Sequence, residues 1–237
     1  MKLSAAESRR AIRAIHLALE SLPRSAVGER NKFVFIGGGL VPLLITDPAA
    51  SPARPTKDVD VVFRVETVSA YSYMRQDLLR VGFRDDIFAD KPLCALFFDE
   101  WRVDFLCSNT GVIAGANRWF NSVMEDPVED EIDGVNVWRA STPSWIATKL
   151  EAWLNRGRLE SGAPDYYHQD MEDILAVVDG RPECVAEVAD GIAAVSGFIR
   201  QHFRIMLSKP DFLSALPGHT GGHERSEIVL KRLKSIL

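Results

Sequence analysis

Two aspartates one residue apart carry the clearest chemistry in this 237-residue chain: Asp58 and Asp60, in Thr56-Lys57-Asp58-Val59-Asp60-Val61-Val62-Phe63. A β-strand repeats every two residues, so both carboxylates fall on one face and Val59 and Val61 on the other. Like charges this close raise each other's pKa unless a cation lies between them, which makes the pair costly to keep without a use. Magnesium is the natural cation, because it takes hard oxygen ligands and combines a few carboxylates with waters and substrate phosphates. A third acid, Asp104, lies in Arg102-Val103-Asp104-Phe105-Leu106. There Val103 and Phe105 point one way and Asp104 the other, as expected of a strand beside the first. Taken alone, Asp104 would equally suit the polar member of an ordinary alternating strand. With three acids as metal ligands, two ions could bridge the attacking and leaving oxygens of an in-line displacement.

Upstream, Gly37-Gly38-Gly39 follows an apolar run, where glycine lets backbone amides approach phosphate oxygens and a following helix start adds a favourable dipole. That suits a triphosphate. The dinucleotide-binding GxGxxG spacing is incomplete, because Val41-Pro42 stands where the last glycine is needed, and no GxxxxGK[ST] occurs. His219 and His223 have metal-like spacing, but Gly221-Gly222 between them argues against a helix that would align both rings. Tyr166, Tyr167 and His168 read as packing residues at a helix start.

The elements that must position these residues follow from periodicity. Residues 4 to 22 form an amphipathic helix with Ser4 as cap and Ile12, Ile15, Leu19 and Leu22 on one face, ended by Pro23. Residues 33 to 36 read as a buried strand leading into the glycines, then an apolar helix start. A Pro-, Ala- and Ser-rich loop from 47 to 55 delivers the chain to a strand at 59 to 63. Residues 68 to 81 look helical. Leu93 to Phe98 and Trp101 to Leu106 form an antiparallel hairpin about Asp99-Glu100, and Val135 to Trp138 adds a strand. From Thr142 the pattern turns helical, with Thr142 as cap, Pro143 at the first position and an apolar stripe of Ile146, Leu150, Trp153 and Leu154. Further helices are expected over 166 to 179, 184 to 205 and 224 to 237, with loops between. The fold class is therefore α+β: a mixed β-sheet flanked by helices, then a helical C-terminal half. The expected boundary lies near residue 140, giving domains 1–140 and 141–237.

Composition narrows the class. With 46% hydrophobic and 26% charged residues the chain suits a globular protein with a real core. Cys94, Cys107 and Cys184 lie far apart with no CxxC spacing, so neither a disulfide framework nor a zinc site is indicated, and a reducing cytoplasm fits best. No secretion signal or uninterrupted apolar stretch of membrane-spanning length is visible, so no membrane partner is expected. A net charge of −5 argues against a generic, all-over nucleic-acid binder.

A glycine turn after a strand, then Arg54-Pro55-Thr56-Lys57-Asp58-Val59-Asp60, then an acid in a later strand together resemble the DNA polymerase beta-like nucleotidyltransferase superfamily. More closely, the chain is similar to abortive-infection nucleotidyltransferase toxins of the AbiEii type, whose R-x-T-x-D-x-D pattern matches Arg54, Thr56, Asp58 and Asp60. The resemblance covers about residues 33 to 180. The loop between Gly39 and Asp58 is longer than in compact members of the superfamily. The resemblance implies a mixed-sheet catalytic domain, Mg2+ as cofactor and an NTP donor, ATP among them. Gly37, Gly38, Gly39 and Thr56 would line the nucleotide site. It also implies a helical motif in which Lys149 pairs with Asp170 or Asp173, the lysine reaching the triphosphate and an aspartate orienting it or serving as base. Without that pattern Lys149 would be a solvent-facing residue of an amphipathic helix.

The expected reaction is transfer of a nucleoside monophosphate to an acceptor with release of pyrophosphate. Asp58 and Asp60 would bind metal, and Asp104 would activate the acceptor hydroxyl or complete the second site. The acceptor could be tRNA, a protein hydroxyl or a small molecule, with an antitoxin as partner if the toxin likeness holds. A non-catalytic nucleotide- or partner-binding regulator of the same fold, and a metal-dependent phosphohydrolase, are the competing readings.

Overall fold

The computed structural model describes residues 3–23, 33–85, 94–109, 112 and 117–237. The described chain forms two compact units. One comprises Met1–Leu40 with Pro55–Ser141, the other Val41–Arg54 with Thr142–Leu237.

In the first unit, helix α1 (Ala5–Glu20) begins with a capping box: Ser4 Oγ accepts the Glu7 N–H, and the Glu7 carboxylate accepts the Ser4 N–H at 2.8 Å. Its buried stripe of Ile12, Ile15 and Leu19 is the one periodicity demanded. Among the described residues seven strands make one mixed sheet: β1 (Val34–Ile36), β2 (Asp58–Phe63), β3 (Arg84–Asp85), β4 (Ala95–Phe98), β5 (Trp101–Cys107), β6 (Pro127–Ile132) and β7 (Val135–Ala140). Their spatial order is β3-β4-β5-β2-β1-β7-β6. The β4–β5 hairpin turns at Asp99, whose φ is 51°; Leu93, expected at its start, lies outside the described residues. β3 and β6 were not expected from sequence. β6 reads Pro-Val-Glu-Asp-Glu-Ile, too acidic for a strand signal, and it is an edge strand whose residues are half-buried or exposed apart from the buried Ile132, which tolerates that composition.

The sheet's two faces differ sharply. Val59, Val61 and Phe63 of β2 and Val103, Phe105 and Cys107 of β5 are buried. There Phe63 and Phe105 meet edge-on at 6.3 Å and Tyr71, from helix α3 (Val68–Arg80), stacks on Phe63 at 5.9 Å. That aromatic core anchors the strands and leaves their alternate residues for the opposite face.

In the second unit, the chain leaves a 3-10 turn (Gly38–Leu40) of the first unit for a single helical turn, α2 (Val41–Leu44). A long helix behind the glycines is therefore not formed, and the dipole expected there is confined to one turn. The remaining helices are α5 (Thr142–Arg156), α6 (Gln169–Gly180), α7 (Cys184–Asp190), α8 (Ala193–Leu207), α9 (Pro210–Thr220) and α10 (His223–Ile236), with α4 (Phe120–Glu125) belonging to the first unit. The segment 41–54 is stitched to them. The Thr46 and Asp47 N–H groups donate to the Gly180 carbonyl, and Arg181 donates to that of Leu44 at 3.0 Å.

Four helical expectations need correction. Thr142 is the first residue of α5 and its hydroxyl makes no hydrogen bond, so it is not the cap. The run from 184 to 205 is two helices, because the chain turns extended at Gly191, where a side chain would crowd Pro143 at 3.2 Å. Residues 210–220, taken for a Gly-Pro-His-rich loop, are helix α9, with Pro210 at its start and Pro217 only in its last turns. α6 begins at Gln169, with His168 Nδ1 accepting the Asp170 N–H as its cap, and not at 166.

Candidate functional site

The parallel pairing of β2 with β5 sets the geometry of the acids. Asp60 lies directly opposite Asp104 and Asp58 directly opposite Arg102, so all four side chains share the face away from the aromatic core. Each is half-buried. Arg102 Nη2 donates to Asp104 Oδ2 at 2.8 Å, and the Thr56 hydroxyl donates to Asp58 Oδ1 at 3.3 Å. Thr56 is itself held by a two-way backbone bridge with Leu3.

Gly37 has a φ of 76°, and a Cβ placed there would stand 1.8 Å from Asp60 Oδ2. Only glycine, therefore, fits both the backbone conformation and the space the carboxylate occupies. Gly38 and Gly39 are buried in the 3-10 turn that follows; a Cβ on Gly39 would meet only ordinary contacts, the Asp58 carbonyl at 3.6 Å. The glycine turn and the paired acids, recognised separately in the sequence, are thus in contact through Gly37 and Asp60.

These acids form a donor set of the type magnesium prefers, on neighbouring strands, with Gly37 closed against the Asp60 carboxylate. Among the described residues no three His, Cys, Asp or Glu side chains are drawn close enough to enclose an ion by themselves. Magnesium commonly completes its octahedron with waters and phosphate oxygens, and a face of this kind leaves that to the ligand.

The second unit holds a different charged cluster. Lys149 is 8% exposed, which removes the reading of a solvent-facing helical lysine. Its Nζ donates to Asp173 Oδ2 at 2.7 Å and Asp170 Oδ1 at 3.2 Å. Asp173 also takes both prongs of Arg54, at 2.7 and 2.8 Å, and Asp170 both prongs of Arg156, at 2.8 and 2.9 Å. Asp170 and Asp173 are 0% and 1% exposed. Burial alone would push the Asp170 carboxyl up, but the Arg156 hydrogen bonds and the Lys149 and Arg156 charges outweigh it and hold it below the ordinary aspartate value.

Sequence reasoning singled out Lys149, Asp170 and Asp173 but not Arg54 or Arg156 as their partners. Arg54 is 119 residues from Asp173 and no periodicity could have joined them. Arg102 was not singled out either, although its alternation with Asp104 puts it on the same strand face. His219 and His223 end one helix and start the next, with Gly221 at φ 71° between them. His219 Nε2 lies 2.8 Å from the Tyr166 carbonyl.

No protein-family model and no curated protein matches the chain. Among solved structures it is similar to an antigenic nucleotidyltransferase-like protein from Paracoccidioides brasiliensis. The match has a TM-score of 0.51 at 16% identity and covers 91% of this chain and 94% of that one. The likeness is one of fold: an α+β, nucleotidyltransferase-like arrangement of a mixed seven-stranded sheet with flanking helices and a helical C-terminal half. Among the described residues no helix is long and apolar enough to cross a membrane.

Proposed function

We propose that the chain is a metal-dependent nucleotidyltransferase that moves a nucleoside monophosphate from an NTP to an acceptor hydroxyl. The observation that carries this reading is the register of β2 and β5, which sets Asp58, Asp60 and Asp104 on one face with Gly37 closed against Asp60. Asp58, Asp60 and Asp104 are the residues that would hold Mg2+, which when bound neutralises phosphate charge and polarises the phosphorus–oxygen bonds. Thr56 fixes the Asp58 carboxylate by its hydroxyl, and Gly37, Gly38 and Gly39 supply a turn whose backbone can approach phosphate oxygens. In the reaction the acceptor oxygen forms a bond to the α-phosphorus while the bond from that phosphorus to the bridging oxygen breaks. Pyrophosphate leaves with the electron pair, and Asp104 offers a carboxylate oxygen to the departing proton. Lys149, held by Asp170 and Asp173, is the cation this reading assigns to the triphosphate. The AbiEii-type resemblance favours tRNA or a protein hydroxyl as acceptor, with an antitoxin as partner if the toxin likeness holds.

Incubation with each α-labelled NTP, Mg2+ and total RNA or protein tests the reaction. Label should pass to a macromolecule with pyrophosphate released, and Asp60→Asn should cut transfer at least about a hundredfold while keeping the native melting transition. Release of free phosphate with no labelled acceptor would replace the reading with hydrolysis, and full activity of Asp60→Asn would overturn the site.

A further inference from the structure

The acid face contains a fixed cation of its own. Arg102 stands opposite Asp58 across β2 and β5, two residues before Asp104 on the same strand face, and its Nη2 holds Asp104 Oδ2 at 2.8 Å. Only part of the guanidinium is used in that bond: its Nε is buried and makes no hydrogen bond. The side chain is 28% exposed and that of Asp104 16%, so the pair is neither sealed in the core nor loose on the surface. Well-satisfied structural arginines elsewhere in this chain look different. Arg54 and Arg156 each meet an aspartate with Nε and a terminal nitrogen together.

From this contrast we propose that Arg102 is a built-in competitor for the divalent cation: it holds Asp104 until the cation takes the carboxylate, and its freed guanidinium then binds the triphosphate. The inference rests on the nucleotidyltransferase reading and adds a residue to it. A divalent ion and a guanidinium drawn to the same carboxylate repel each other, so metal and Arg102 compete for Asp104. A triphosphate resolves the competition, because its oxygens accept the fork of a guanidinium as readily as a carboxylate does. Metal loading is thereby coupled to nucleotide binding: the ion alone must displace Arg102 without compensation, whereas the ion with NTP gives Arg102 a new partner.

The test is calorimetric titration of the full chain with Mg2+ alone, and then with the α,β-methylene analogue of ATP in saturating Mg2+. Wild type is compared with Arg102→Met, which keeps the stem and loses the charge. Arg102→Gln, which can still donate to Asp104, serves as second variant should the methionine form not fold. The expected result is two effects of opposite sign: affinity for Mg2+ alone rises about tenfold, while affinity for the nucleotide analogue falls about tenfold or more. A purely structural arginine would move both affinities in the same direction or neither, and either result overturns the proposal. If wild type and both variants bind no Mg2+ even with nucleotide, the nucleotidyltransferase reading falls and this inference with it. If wild type binds both ligands and the variants match it, only the role of Arg102 is lost.

Discussion

The sheet and the helical unit each gather aspartates around cations, yet they finish the job differently. On the sheet, Asp58, Asp60, Asp104 and Arg102 are half-buried, and Arg102 keeps a bare Nε. In the helices, Asp170 and Asp173 are fully buried, each gripped by a two-pronged arginine and sharing Lys149 between them. Charge removed from water must be completely paired to be tolerated, and the helical cluster meets that condition. The sheet cluster remains in partial contact with water and keeps bonding capacity unspent. A cluster with capacity left over is the better place to seek a ligand, and a saturated one the better place to seek stability.

The sharpest way to break this contrast is to unpair the helical cluster. Asp173→Ala leaves Arg54 and Lys149 without their shared carboxylate and should cost about 3 to 5 kcal/mol in denaturant unfolding. Lys149→Met leaves both aspartates their two-pronged arginines, so its loss should be clearly smaller. Equal losses would mean the cluster is not a saturated network. Transfer activity of Lys149→Met separately reads the role proposed for that lysine, since a purely structural residue would leave transfer by the folded fraction intact.

On the sheet, Gly37→Ala should act locally. The left-handed φ costs about 1 to 2 kcal/mol, and the new methyl must displace the Asp60 carboxylate it would overlap. Transfer should fall by more than the stability loss explains. Wild-type transfer by a folded Gly37→Ala protein would show that the position of Asp60 does not matter.

The smallest effect expected is on pH. Because the Asp170 carboxyl is held below its ordinary value of 3.8, the native state binds fewer protons there than the unfolded chain. Its stabilising contribution is complete above that value and is lost as pH falls through the lowered native one. Urea midpoints measured from about pH 6 down to about pH 3 should therefore decline more steeply in wild type than in Arg156→Met, whose Asp170 has lost its main partner. Parallel declines would argue that Arg156 does not set the Asp170 carboxyl.

Much of this was legible in the sequence, and the failures have physical reasons. The acid strand, its neighbour and the cap of α1 were readable because period-2 alternation and a serine just ahead of an apolar helical stripe are local signals. β6 escaped because an edge strand need not be apolar, and α9 because Pro217, Gly218 and His219 count as breakers unless the helix is already near its end. Continuous apolar spacing hid the break between α7 and α8, which is set by close packing of Gly191 on Pro143. The aspartates of the helical cluster could be named but not their arginines, since Arg54 pairs across more than a hundred residues of chain. Contact between Gly37 and Asp60 was likewise unreadable, because it depends on the antiparallel register of β1 with β2.

The way the segment 41–54 joins the helices has a consequence for synthesis. Those residues leave the ribosome between two strands of the sheet, but their partners, Gly180, Arg181 and Arg225, are made more than a hundred residues later. Asp47 must wait for Arg225, in the last helix, before its carboxylate is matched. The nascent chain therefore carries this stretch, with Arg54 at its end, as an unclaimed arm while the sheet's later strands are added. Whatever order the two units fold in, the helical one closes only after Arg225 has been made.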